Sequence, residues 1–139
     1  MRLTSTIFLI SIPLLLAGCG GSRSSARSPA EHPTATPAVL SAGEAKAYLG
    51  DHPDALVLDV REPDEWNDDL GHIAGAKQIP LGQLESRLGE IEAWKAKPII
   101  TVCRTGVRSQ AAAETLRAAG FKLVINLDGG MSAWRSAGY

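Results

Sequence analysis

Apolar residues along the chain fall either into short unbroken runs or at helical spacing, and the two kinds of stretch alternate. Ala55 to Val60, Ile99 to Val102 after Pro98, and Lys122 to Leu127 are short and rich in Val, Ile and Leu, the pattern of strands buried on both sides. Ile79-Pro80-Leu81 suggests a further short strand leaving the sheet. Ser41-Ala42-Gly43-Glu44 has the form of a capping box, opening a helix that carries Ala45, Ala47, Tyr48 and Leu49 and stops at Gly50. Asp51 to Asp54 then make a turn. Gln83 to Leu88 and Glu90 to Lys95 are amphipathic, with Leu84, Leu88, Ile91 and Trp94 forming a core-facing stripe. From Ser109 onward the Ala, Glu, Leu and Arg content predicts a helix that Gly120 ends. Asp128-Gly129-Gly130 reads as a tight strand-to-helix turn before a last helix with Met131 and Trp134. Strands alternating with helices predict an α/β fold with a mostly parallel central sheet and helices on both faces.

The first forty residues follow a different pattern. Met1-Arg2-Leu3 gives a charged start, and Ile7 to Leu16 is apolar apart from Ser11 and Pro13. That stretch is shorter than the ~20 apolar residues a spanning helix needs, so residues 1–18 are expected to be an export signal. Leu16-Ala17-Gly18-Cys19 looks like a bacterial lipobox, which predicts lipidation of Cys19. Several acyl chains anchor stably where one does not. Gly20 to Ala38 is rich in Ser, Pro, Ala and Thr without an apolar period, so residues 19–38 are expected to tether a domain spanning 39–139. The expected location is the cell envelope. Gly20 does not resemble an inner-membrane retention signal, so with two membranes present the outer one is expected, facing the periplasm.

Length and charge narrow the function. The chain has 139 residues and a formal net charge of −1, so one domain with a modest core is expected and no nucleic-acid surface is indicated. Residues 39–139 hold eleven basic and fourteen acidic side chains. A monomer is expected, and the spacing of His32, His52 and His72 suggests no metal site.

Against that mildly acidic background, Cys103-Arg104-Thr105-Gly106-Val107-Arg108-Ser109 is a local exception. A buried strand delivers a single cysteine into a basic turn hinged by Gly106. If the turn wraps the sulfur, the amides of Arg104 to Arg108 and the helix N-terminus favour its anion, and the thiolate is the nucleophile. A small core cysteine at a strand end is the plainer alternative. The export signal weighs against it: with Cys19 a lipid thioether, Cys103 has no partner for a disulfide, and an unpaired thiol in an oxidising compartment implies a use.

CRTGVRS resembles the active-site loop of rhodanese-like sulfurtransferases. LVLDVREPDEW at Leu56 to Trp66, GHIAGAKQIPL at Gly71 to Leu81 and NLDGGMSAWRSAGY at Asn126 to Tyr139 extend the resemblance over about a hundred residues in the family's order. It implies a rhodanese-like three-layer fold and a Cys103 persulfide. A donor such as thiosulfate would supply the sulfur, and cyanide or a thiol would accept it. The amides of Arg104, Thr105, Gly106, Val107 and Arg108 would stabilise the anions, the two arginines would attract the donor, and no cofactor is implied. Cysteine phosphatases space nucleophile and arginine as C-x5-R, whereas here position 109 is serine and the arginine is Arg108. A non-catalytic binding or sulfur-carrier module is the alternative, with a cysteine phosphatase or arsenate reductase behind it.

Two residues near the loop have open roles. Asp59 and Arg61 lie at the end of a predicted strand, with Glu62, Asp64 and Glu65 following, and sites in parallel sheets gather at carboxyl ends of strands. Arg61 either shapes the site or forms an ion pair with Glu65 that fixes the loop. His72 could be a base for Cys103, while the resemblance implies that it packs the Gly71 to Ala76 turn.

Overall fold

The computed structural model describes residues 38–139; the expected signal peptide, Cys19 and the tether up to residue 37 lie outside them. Five parallel strands form one sheet: β1 (Val39–Leu40), β2 (Leu56–Asp59), β3 (Lys77–Gln78), β4 (Pro98–Val102) and β5 (Leu123–Leu127), in the order β1-β5-β4-β2-β3. Three α-helices cover it, α1 (Ala42–Asp51), α2 (Val107–Ala118) and α3 (Gly130–Ser136).

Alternation along the strands explains the layers. Successive side chains of a strand point to opposite faces. Leu56, Leu58, Ile99 and Val124 join Ala112, Ala113 and Leu116 of α2 with Leu84 and Ile91 in one core cluster. Val57, Ile100, Ile125 and Leu127 join Ala45 of α1 with Met131 and Trp134 of α3 in the other. The strands are therefore apolar at consecutive positions, and the sheet lies between two helical layers. The Ser41 box closes α1 as predicted: Glu44 accepts from the Ser41 backbone at 2.9 Å and the Ser41 oxygen accepts from the Glu44 amide at 3.4 Å.

Local differences have local causes. The stretch expected to form two amphipathic α-helices is instead 3-10, over Leu81–Gln83 and Glu85–Trp94, where Gly82 and Gly89 weaken the α-helical preference. Leu84 and Ile91 are nonetheless fully buried, as the stripe predicts. The strand expected at Ile79 to Leu81 ends at Gln78; Pro80 has no amide for a ladder, although the Ile79 and Leu81 amides still bond Asp59 and Val60 carbonyls. The edge strand β1 carries no sequence signal beyond two apolar residues. Helix α2 begins at Val107, two residues before the expected start, because Gly106 takes the N-cap position with φ +97°.

Strand order decides what meets at the carboxyl edge. β4 is central, flanked by β2 and β5, so the segments after Val102, Asp59 and Leu127 emerge side by side.

Candidate active site

Cys103 follows the last residue of β4 and is 1% exposed. Arg104 and Thr105 turn the chain outward and Gly106 turns it back into α2. A side chain at Gly106 would require a left-handed φ and would press on the Gly129 nitrogen at 3.2 Å and the Leu127 oxygen at 3.3 Å. In this tight turn the Gly106 amide donates to the Cys103 sulfur at 3.1 Å. The buried Ser109 hydroxyl lies 3.4 Å from the same sulfur and 3.1 Å from the Gly106 carbonyl. Its single proton can serve either acceptor. Burial pushes the thiol up, but the Ser109 hydroxyl and the amides of Ser109, Thr105 and Gly106 outweigh it, so Cys103 titrates below an ordinary cysteine. These donors, rather than all five loop amides, form the anion cradle.

The other face of the loop is held by the end of the chain. The Met131 amide donates to the Cys103 carbonyl at 2.8 Å and the Ser132 amide to the Arg104 carbonyl at 3.0 Å. Asn126 at the end of β5 donates to the Gly106 carbonyl at 3.3 Å. With its carbonyls bound outward, the turn presents amides inward to the sulfur.

The two loop arginines are both paired. Arg108 donates to both oxygens of Glu65, at 2.6 and 2.7 Å, and this hydrogen-bonded partner holds the Glu65 carboxyl down at about 2. Arg104 donates to Asp68 at 2.7 Å and lies 3.7 Å from Asp69. Arg61 is fully buried. Its guanidinium embraces Asp59, the shortest contact being 2.6 Å, and donates to the backbone carbonyls of Glu65 at 2.9 Å and Gly71 at 2.7 Å. The Arg61–Glu65 ion pair expected from the sequence is replaced by this backbone bond, which frees the Glu65 carboxylate for Arg108. His72 stacks on Trp66 with centroids 4.1 Å apart and lies 3.2 Å from the Trp66 carbonyl, a packing role. Thr105 is exposed, and Val107 is 76% exposed beside the loop.

Residues 41–137 match the model of the rhodanese-like domain family. The chain belongs to the rhodanese-like family. This rhodanese-like domain is 36% identical over 89 residues to the thiosulfate sulfurtransferase GlpE of Pseudoalteromonas translucida, covering 64% of this chain and 81% of that protein. It is 37% identical over 90 residues to a sulfurtransferase of Allochromatium vinosum, covering 65% and 80%. Among solved structures, a rhodanese-related protein of Thermoplasma volcanium superimposes with a TM-score of 0.64 at 31% identity, covering 73% of this chain and 93% of that one. The chain spans between 28% and 60% of the length of the first curated relatives that it matches.

Residue order in this rhodanese-like domain points to the cysteine and its loop but not to four of the groups that support them: Ser109, Asn126 and the amides of Met131 and Ser132. Ser109 reads locally as the start of a helix, although its place at the end of CRTGVRS is a signal. Asn126 and the Met131 and Ser132 amides have no signal at all, because they reach the loop only through the pairing of β4 with β5.

Proposed function

We propose that the rhodanese-like domain moves a sulfane sulfur from a donor such as thiosulfate to a thiophilic acceptor through a persulfide on Cys103. The observation that carries this reading is the Cys103 sulfur bonded by the Gly106 amide and the Ser109 hydroxyl. Those donors stabilise the thiolate before transfer and the persulfide anion after it, without reorganising during reaction. In the first step the thiolate attacks the outer sulfur of thiosulfate. A bond forms between the two sulfurs, the bond to the sulfonate sulfur breaks, and sulfite leaves with the electron pair. In the second step cyanide or a thiolate attacks the outer persulfide sulfur and Cys103 leaves as thiolate. Both steps balance with donor and acceptor alone.

Four residues separate Cys103 from Arg108, a loop sized for one sulfur atom rather than a phosphoryl group with three oxygens. Incubation with thiosulfate followed by mass spectrometry of the intact protein is expected to show one added sulfur, absent in Cys103→Ser. Serine matches the cysteine in size but lacks a low-pKa thiolate. A wild-type protein that takes up no sulfur, or that hydrolyses aryl phosphates faster than it transfers sulfur, would refute the proposal.

The proposal extends to a membrane anchor on Cys19, supported by the apolar run that ends at Leu16-Ala17-Gly18-Cys19. Fractionation is expected to move Cys19→Ala from the membrane to the soluble fraction.

A further inference from the structure

A dianionic donor would be drawn in by two free guanidinium groups beside the cysteine, and neither is free. Arg108 is held at both terminal nitrogens by Glu65, and Arg104 by Asp68 with Asp69 close by. Arg61, which also lies 3.6 Å from Asp68, is spent on Asp59. The ion-pair network around the loop thus contains three guanidinium groups, Arg61, Arg104 and Arg108, against four carboxylates, Asp59, Glu65, Asp68 and Asp69. Glu62 adds a further negative charge within range of Arg108. The thiolate itself adds another.

Nor can the carboxylates withdraw easily. The segment that carries them is pinned by the buried Arg61 through the Glu65 and Gly71 carbonyls. The Glu65 and Asp68 side chains are only 20% and 18% exposed, so solvent screens them less than it would freely exposed groups. Beside them the exposed Val107 offers an apolar surface.

We propose that Glu65, Asp68 and Asp69 set how donor charge affects the site, making dianionic donors such as thiosulfate slower than a hydropersulfide, R–S–SH, of lower net negative charge. This rests on the sulfurtransferase reading above and names its substrate class. The thiolate of Cys103 attacks the outer sulfur of R–S–SH, the donor S–S bond breaks, and the departing thiolate takes the proton from the transferred sulfur. Cys103 persulfide anion and R–SH result. Glu65 acts on this step through Arg108 and is a positioning residue.

The test measures the second-order rate constant for persulfide formation at rising sodium chloride with two donors, thiosulfate and cysteamine hydropersulfide, whose ammonium balances its ionised persulfide so that its net charge is near zero. It uses the wild type, Glu65→Gln and Asp68→Asn. In the wild type, salt is expected to raise the constant for thiosulfate and leave that for cysteamine hydropersulfide nearly unchanged, since screening acts on net charge. Glu65→Gln is expected to raise the thiosulfate constant about tenfold and to leave the cysteamine one nearly unchanged, and Asp68→Asn to act in the same way. A mere change in thiol reactivity would move both donors together. A thiosulfate constant that falls with salt in the wild type, or donors that move together in both variants, would overturn the charge assignment. If neither donor yields a persulfide, the sulfurtransferase reading itself falls, and this inference with it.

Discussion

The α-carbon of Gly130 lies so close to the carbonyl of Cys103 that a methyl group added there would stand 2.3 Å from the Cys103 oxygen and 2.8 Å from the Arg104 carbonyl carbon. Both neighbours are backbone, and φ at Gly130 is +53°, so neither rotation nor a rotamer change relieves the contact. Gly130→Ala is therefore expected to push the turn that follows Cys103 out of place. Overpacking of this kind costs about 1–3 kcal/mol. Chemical denaturation should show that loss, and the variant should form persulfide more slowly even where it is fully folded. An unchanged rate would mean that the α3 end of the chain does not hold the loop.

Ser109 is expected to govern the reactivity of the thiol. A hydrogen bond to a charged group contributes about 1.5–3 kcal/mol, so Ser109→Ala should slow alkylation of Cys103 at neutral pH roughly tenfold or more. The direction follows from the donor it removes: with less support for the anion, the pH profile of alkylation moves to the alkaline side. Ser109→Thr, which keeps the hydroxyl, should restore much of the profile. A profile that stays in place in Ser109→Ala would assign the low thiol pKa to the amides alone.

Arg61 is expected to matter for stability rather than for contact with substrate. Asp59 is 1% exposed and finds its charge partner in Arg61. Arg61→Leu leaves that carboxylate buried and unpaired, which costs about 3–5 kcal/mol. Urea unfolding should show the loss, and adding Asp59→Leu should recover part of it, because replacing both members removes the stranded charge. A single variant as stable as the wild type would contradict the pairing.

The Glu65–Arg108 pair should leave a mark on acid stability. The Glu65 carboxyl falls from its usual 4.5 to about 2 in the fold, so the unfolded chain binds the proton more readily than the folded one. The contribution is present above pH 4.5 and is lost as pH falls towards 2. The stability difference between the wild type and Glu65→Gln should be largest above pH 4.5 and shrink below it. A difference constant across that window would place the pair's effect elsewhere.

The alternation of strand and helix, the cysteine at the end of β4, the stop at Gly120 and the Ser41 cap could all be read from residue order. Each depends on neighbours within a few positions: β-branched runs, a capping pair, a glycine where the chain must turn. The rhodanese-like loop was legible for the same reason, since seven adjacent residues carry it.

What tertiary structure alone decided is which charge meets which. Local spacing offers Arg61, four positions away, as one partner for Glu65, but the Glu65 carboxylate reaches Arg108 forty-three residues later, and Arg104 finds Asp68 thirty-six residues earlier. Those distances in sequence carry no signal. They close because β2 lies beside β4 in the sheet, which brings the acidic segment after Asp59 against the basic turn after Val102. The glycine pair at 129–130 likewise reads locally as a simple turn, and only the pairing of β5 with β4 sets it against the carbonyl of Cys103. Local preference is written in adjacent residues, whereas a free arginine and a neutralised one have the same sequence and differ only in what the sheet places next to them.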